Sequence, residues 1–187
     1  MTSNRSKLIA LPVAAVMAAT SLVALSGPAS ATPTCRTPDW GSLSKSESDY
    51  SAGTIERVRI GRHDCFDRIV FDLDGQDAGY RVEYVSEVEA PGSGNRVPVD
   101  GGATIRIIIN APGYKDGKST VDIDAVNNLD VRYYHTFKDI EWAGSFEGSS
   151  TIALGTRARL PFRVFTLDSS DGSSRLVVDV AHYWTDF

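Results

Sequence analysis

Apolar and polar residues alternate with a period of two in two short stretches of this chain, 67–73 and 174–180. Both stretches read Arg, apolar, Val, apolar, Asp, apolar. Successive side chains of an extended strand point to opposite faces. Each stretch therefore predicts a strand with one apolar face and one face that carries an arginine and an aspartate.

The repeated aspartate predicts how these two strands pair. Aspartate is disfavoured in strands, so its occurrence at the same place in both stretches calls for a partner. If the strands lie side by side and antiparallel, Arg68 faces Asp179 and Arg175 faces Asp72. The alternative is that the seven-residue match arises by chance.

The remaining chain has many short runs rich in β-branched and aromatic residues, ended by Gly, Pro, Asn or Asp, and no amphipathic helix of three turns. This pattern predicts an all-β fold with little helix, an antiparallel β-sandwich or a barrel. The repeated motif favours the sandwich and suggests internal duplication. The predicted strands are 54–60, 67–74, 80–85, 104–109, 131–137, 140–146, 151–154, 162–167 and 175–183.

Three local expectations follow from turn signals and run lengths. Asp74-Gly75 is a strong reversal signal and predicts a hairpin between 67–74 and 80–85. The nearly continuous apolar run 104–109 predicts a central strand buried on both faces. Gly, Pro and Asn residues punctuate 111–128, which predicts a long excursion.

The N-terminus has the features of an export signal. Arg5 and Lys7 precede an apolar run, and a small-x-small pattern ends at Ala31. We expect a cleaved signal peptide at 1–31, an extended arm from Thr32 to residue 53 and a β-domain at 54–187. This predicts a secreted, extracellular or cell-wall-associated protein with no membrane span after cleavage.

Charge and cysteine content narrow the possible functions. Loss of Arg5 and Lys7 with the signal changes the formal net charge from −5 to −7, which disfavours a protein that wraps nucleic acid. Cys35 and Cys65 are the only cysteines, and in an oxidising compartment they most simply form one disulfide. A metal or redox site is disfavoured because no CxxC pair is present.

Candidate catalytic residues lack a supporting motif. The three histidines, His63, His135 and His182, accompany no known catalytic pattern, and we expect surface or structural roles for them. Glu141 and Glu147 flank Trp142, which is compatible with cleavage of a wall glycan, but turn and core roles are favoured. We therefore expect no enzyme activity, no cofactor and no metal site.

Several segments together resemble the AMIN-like domain of secreted Gram-positive bacterial proteins. The resemblance begins with 58–73 and continues in the same order through Phe146-Glu147-Gly148, 161–164 and 174–180. It covers about Thr54 to His182. The family pattern usually has a small residue where Cys65 stands, so the presumed disulfide is a local addition.

The resemblance implies a β-sandwich related to AMIN domains, which act as peptidoglycan-targeting modules in cell-wall amidases and secretin-type proteins. We therefore expect a secreted, non-enzymatic module that binds peptidoglycan or associated wall material. Arginine suits the carboxylates of stem peptides, and aromatic rings suit sugars or peptides. The candidate ligand-binding residues are Arg68, Arg163, Arg175, Asp179, Tyr134 and Trp142.

Three alternatives remain open at this point. The Arg–Asp pairs can serve only to set strand register, contributing about 0.2–1 kcal/mol each. The excursion can instead be a contact loop of a protein-interaction or inhibitor module, with an envelope protein as partner. The third alternative is a wall glycan hydrolase that uses Glu141 and Glu147.

Overall fold

The computed structural model describes Cys35 and residues 40–49, 53–76 and 78–184. The expected signal peptide, its cleavage site between Ala31 and Thr32, and the last three residues lie outside the described residues. The boundaries 1–31, 32–53 and 54–187 therefore stay predictions. The fold described below concerns the described residues alone.

The described chain forms an all-β sandwich of two antiparallel sheets, as predicted. The strands of the described chain are β1 (Lys45–Glu47), β2 (Ile55–Arg62), β3 (Phe66–Leu73), β4 (Tyr80–Val85), β5 (Val88–Glu89), β6 (Arg96–Val97), β7 (Ala103–Ile109), β8 (Tyr114–Lys115), β9 (Lys118–Ser119), β10 (Phe137–Phe146), β11 (Ser149–Thr156), β12 (Phe162–Asp168) and β13 (Ser174–Ala181). The five-stranded sheet has the order β1-β4-β7-β11-β10, and the four-stranded sheet has the order β12-β13-β3-β2. The pairs β5–β6 and β8–β9 form two separate two-stranded sheets.

One apolar core lies between the two sheets, and the period-two pattern selects its members. β3 and β13 pair in the predicted antiparallel register, and their apolar faces turn inward. Strands β7 and β11 supply the opposite wall of the core. The inward residues of β3 and β13 are Ile69, Phe71, Leu73, Leu176, Val178 and Val180, each at most 2% exposed.

The predicted hairpin at Asp74-Gly75 is wrong. β3 already has neighbours on both sides, β2 and β13, while β4 pairs with β1 and β7 in the other sheet. The turn after β3 therefore carries the chain from one sheet to the other. The backbone N–H of Asp74 donates to the carbonyl of Thr54 at 2.9 Å, which extends the contact with the start of β2.

Two other local expectations are corrected. β7 is central in its sheet but is not buried on both faces, because only the inward residues Ile105, Ile107 and Ile109 are fully buried. No strand occurs at 131–136 in the described chain, and β10 begins at Phe137.

The excursion after β7 contains the small hairpin β8–β9 and one short helix, α1 (Ile123–Asn127). The side chain of Asp122 caps this helix by accepting from the backbone N–H of Ala125 at 3.0 Å. Val126 is the buried residue of the helix. No helix in the described part of the chain is long and apolar enough to cross a membrane.

Strand pairing, an aromatic contact and a disulfide help to tie the described part of the N-terminal arm to the sandwich. β1 pairs with the edge of β4. The ring of Trp40 lies edge-on to Phe66 with a centroid distance of 5.7 Å. Cys35 and Cys65 form the expected disulfide, which joins the arm to the turn before β3.

Candidate functional site

The outward face of the four-stranded sheet is a regular grid, because opposite residues in paired strands point to the same side. At one end, the four strands place Arg57, Asp72, Arg175 and Leu167 in a row. The middle row is Arg59, Val70, Val177 and Phe165, and the row at the other end is Gly61, Arg68, Asp179 and Arg163. We call this surface the arginine face.

At one corner of the arginine face, one carboxylate holds two guanidinium groups. Asp179 is fully buried, and it accepts from Nε and Nη2 of Arg68 at 2.6 and 2.9 Å. It also accepts from Nε of Arg163 at 2.8 Å. The side chains of Arg68 and Arg163 remain 25% and 40% exposed. The predicted Arg68–Asp179 pair is therefore present, with a second arginine added.

Aromatic rings support the guanidinium groups at this corner. Cζ of Arg163 lies 4.4 Å from the centroid of Trp40 and 5.1 Å from that of Phe165. Cζ of Arg68 lies 5.2 Å from the centroid of Phe66. These cation–π contacts fix the guanidinium groups while leaving N–H edges toward solvent. The sequence pattern did not indicate this aromatic support.

The opposite corner of the arginine face is related to the first corner by an approximate twofold rotation, but the ion pairs at the two corners differ. Asp72 accepts from Nε of Arg57 at 2.9 Å and from Nε and Nη2 of Arg59 at 2.8 and 2.6 Å. Arg175 faces Asp72 in the register that was predicted, but the two side chains form no ion pair. Arg59 occupies the place that Phe165 occupies at the first corner, and it takes both carboxylate oxygens of Asp72.

Arg175 is consequently exposed and has no hydrogen bond or ion pair with any residue that the structure describes. Its guanidinium carries a full set of available donors. In the sequence it looks equivalent to Arg68, yet the two arginines have opposite environments. Arg175 is therefore an exposed cation of the arginine face that has no partner among the described residues.

The arginine face is positively charged on an acidic protein. Five guanidinium groups and two carboxylates lie on it, which gives a formal charge of +3. The whole chain has a formal net charge of −5. Arg57 and Arg59 were missed as candidates, although their period-two spacing in β2 places them on the same face as each other.

The ion pairs shift the pKa values of Asp72 and Arg68 in the expected directions. Hydrogen bonds from Arg59, and then from Arg57, lower the pKa of Asp72 below its usual value, although partial burial opposes the effect. The hydrogen bond to Asp179 raises the pKa of Arg68. The pKa of Arg59 is raised in the same way by its hydrogen bond to Asp72.

The two aromatic candidates lie away from the arginine face. Tyr134 stacks on Phe137 with a centroid distance of 5.8 Å and packs against the core. Trp142, on β10, also packs against the core, and a Cβ at Gly113 would lie 2.6 Å from its ring. The structure does not bring either ring together with the candidate arginines.

The glutamates considered for hydrolysis occupy one hairpin. Glu141 lies on β10, and burial, followed by the charge of Asp139, raises its pKa. Glu147 lies in the turn between β10 and β11 with a positive φ of 48°. The described residues contain no group of three or more His, Cys, Asp or Glu side chains placed to hold a metal ion.

Comparison with known proteins gives one positive finding. The family model described as "AMIN-like domain" matches residues 53–182. This range begins just before β2 and ends one residue after β13, so it includes all four strands of the arginine face. No curated protein and no solved structure shows significant similarity to the chain.

Proposed function

This chain belongs to the AMIN-like domain family, and on that premise we propose that it is a secreted, non-enzymatic module that binds anionic cell-wall material through the arginine face. Family membership indicates a cell-envelope-related module with an extracellular or envelope location. The Cys35–Cys65 disulfide fits that location, because disulfides persist in oxidising compartments. Peptidoglycan is the ligand that we propose first.

The observation that carries the proposal is the charge of the arginine face. A surface of formal charge +3 on a chain of net charge −5 concentrates the positive potential on one side. Peptidoglycan stem peptides end in carboxylates, and attached wall polymers carry phosphates. Guanidinium groups bind both anions with two parallel hydrogen bonds.

The two ends of the face have different roles in this proposal. Arg175 supplies donors that the described residues leave unused. Arg163 keeps outward donors while Trp40 and Asp179 hold its guanidinium in place. A preorganised donor loses less conformational entropy on binding than a mobile one. The buried carboxylate of Asp179 positions arginines and does not itself contact the ligand.

A protein-interaction module is the second candidate, and the excursion after β7 favours it. Tyr114 and Ile123 lie in this excursion and are exposed large hydrophobic residues. Shortening of β8–β9 then abolishes binding of an envelope protein and leaves binding to the wall unchanged. Catalysis by Glu141 and Glu147 is not part of either proposal.

The proposed function is tested by co-sedimentation of the chain from Thr32 to Phe187, which contains every described residue, with isolated sacculi. Sacculi with and without their attached anionic polymers are compared at two salt concentrations. Saturable pelleting that survives moderate salt is the expected result. An absence of pelleting with both preparations contradicts the proposal and directs the search to protein partners.

A further inference from the structure

A second polar surface lies at one end of the sandwich, outside the grid of the arginine face. It is a cleft of about 330 Å³ lined by Arg62, His63, Asp64 and His135. We call it the end cleft. Its residues come from two parts of the chain: the continuous stretch 62–64, which ends β2 and enters the turn before β3, and the segment before β10, which carries His135. Its volume is within the range of small-ligand sites.

Both imidazole rings of the end cleft are exposed but packed on one side. The ring of His63 stacks on Phe66 with a centroid distance of 4.4 Å and an interplanar angle of 21°. The ring centroids of His135 and His182 lie 4.4 Å apart. His182 is buried, and its Nε2 lies 3.1 Å from Oδ1 of Asp67. The two rings therefore have fixed positions before any ligand arrives.

Asp67 explains why this support is rigid. Its buried carboxylate accepts from the backbone N–H groups of Thr136 and Phe137 at 2.5 and 3.2 Å, in addition to the contact with His182. The segment that carries His135 is thus bound to β3. On the other side of the cleft, the disulfide of Cys65 fixes the turn that carries His63 and Asp64.

Arg62 supplies the permanent cation of the end cleft. Its Nη1 donates to the backbone carbonyl of Tyr133 at 3.0 Å. Within the described chain it forms no ion pair with a carboxylate, and neither does any other side chain that lines the cleft. Its other donors have no hydrogen-bond partner among the described residues. One carboxylate, that of Asp64, also lines the cleft and offers acceptors.

We propose that the end cleft binds an anionic sugar residue, one that carries a carboxylate or a phosphate beside its hydroxyl groups. Arg62 and the imidazoles donate to the anion, and Asp64 accepts from hydroxyl groups. A cleft for a simple anion gains nothing from Asp64, whereas a sugar acid uses both kinds of group. The backbone carbonyl of Tyr133 accepts from Arg62, and the side chain of Tyr133 is 70% exposed.

Phe66 connects the end cleft with the arginine face. His63 stacks on its ring, and Cζ of Arg68 and of Arg163 lie 5.2 and 5.5 Å from its centroid. An extended polymer can therefore occupy both surfaces. The inference rests on the proposed function in one respect, because the sugar residue is taken to belong to the same wall polymer.

The test is an NMR titration of the ¹⁵N-labelled chain from Thr32 to Phe187 with three small probes. N-acetylmuramic acid supplies a sugar carboxylate, glycerol phosphate supplies a phosphate, and N-acetylglucosamine is the neutral control. We expect saturable shifts of the amide signals of 62–65 and 133–136 with at least one anionic probe and none with the neutral probe. The probe that binds identifies the anion.

Variants then assign the binding to the cleft. We expect His63→Gln/His135→Gln and Arg62→Gln each to weaken binding of the active probe about tenfold, on the scale of lost hydrogen bonds to a charged group. Arg132→Gln is the matched control, because Arg132 is exposed nearby and pairs with Asp130. Unchanged thermal unfolding verifies that each variant is folded.

Three results overturn the inference. They are no saturable shift with either anionic probe, equal shifts with the neutral probe, and shifts that map to the arginine face alone. A different result overturns the proposed function and leaves this inference standing. If sacculi do not pellet the chain but an anionic probe still shifts 62–65 and 133–136, the end cleft is a site and the wall polymer is not its source.

Discussion

Arg68 and Asp179 form a two-pronged ion pair across β3 and β13, with Nε–Oδ1 and Nη2–Oδ2 distances of 2.6 and 2.9 Å. Asp179 is fully buried although it lies on the outward face of its sheet. A buried carboxylate is tolerated only when its charge is paired and its oxygens are hydrogen-bonded. Here two arginines satisfy it, so the pair fixes the geometry of the arginine face.

The first prediction concerns Asp179→Asn. The substitution removes the negative charge that Arg68 and Arg163 share and replaces one acceptor oxygen with an NH2 donor, so we expect the free energy of unfolding to fall by about 2 kcal/mol. The expected loss is below that for a fully buried ion pair, because both arginines are partly exposed. Urea denaturation gives the free energy of unfolding. Sacculus binding of this variant is expected to weaken together with stability, because Asp179 positions Arg68 and Arg163 without contacting the ligand itself.

Glu89→Gln is the control for Asp179→Asn, because Glu89 is exposed on β5. We expect this control to change the free energy of unfolding by less than about 0.5 kcal/mol. A loss of binding by Asp179→Asn at unchanged stability would mean that the carboxylate contacts the ligand.

The second prediction separates binding from stability with Arg175→Gln. Arg175 is exposed and pairs with no residue that the structure describes, so its loss leaves no buried group unsatisfied. We expect unchanged thermal unfolding and sacculus affinity that falls about threefold to tenfold, on the scale of a lost charged hydrogen bond. Unchanged affinity in the pelleting assay contradicts a role for this end of the face.

The third prediction concerns acid stability and Asp72. Its pKa is lowered in the folded protein, mainly by the hydrogen bond from Arg59. A carboxyl group with a lowered folded pKa stabilises the protein above its unfolded pKa, about 4, and loses this contribution as pH falls through the folded pKa. We expect Asp72→Asn to lose less stability than the wild type between about pH 5 and pH 2.

Other carboxylates titrate in the same range, so the comparison must be a difference between the two proteins. Hydrogen bonds from Arg81 and from Arg132, respectively, lower the pKa values of Glu83 and Asp130 to about 2. Glu83 and Asp130 are present in both proteins, so their contributions to the pH dependence of stability cancel in the difference. Parallel curves of melting temperature against pH would contradict the assigned shift of Asp72.

The fourth prediction concerns the disulfide. Cys35 and Cys65 are 30 residues apart in sequence. Closure of a loop of this length stabilises the folded state by about 3–4 kcal/mol in the chain-entropy model. We expect Cys35→Ser/Cys65→Ser to lose about this amount in urea denaturation. The same experiment on the reduced wild-type chain is the control, and a loss below about 1 kcal/mol in both contradicts the prediction.

The sequence predicted those features that depend on strand periodicity alone. The alternation in β3 and β13 determines their apolar faces, and the repeated aspartates indicated the register that brings Arg68 opposite Asp179. The two cysteines indicated the disulfide. Each of these features is determined by residues that are close together in the sequence or by a single pair of residues.

Features that depend on competition between side chains could not be predicted. Arg175 and Arg68 occupy equivalent positions in the repeat, yet Arg59 from the neighbouring strand takes the carboxylate of Asp72. The turn signal at Asp74 predicts a reversal of the chain, but it does not indicate which of the two sheets contains the next strand. The end cleft combines residues 62–64 with His135, which is distant in sequence, and no local pattern brings His63 and His135 together.

The most direct test of the account compares sacculus binding by two double variants with the same loss of charge. Arg163→Gln/Arg175→Gln removes two cations from the arginine face. Arg96→Gln/Arg132→Gln removes two exposed arginines elsewhere, which pair with Glu87 and Asp130. The account predicts affinity at least about tenfold lower for the first variant and nearly unchanged for the second. Equal affinities of the two variants would contradict it, because binding would then depend on net charge and not on the arginine face.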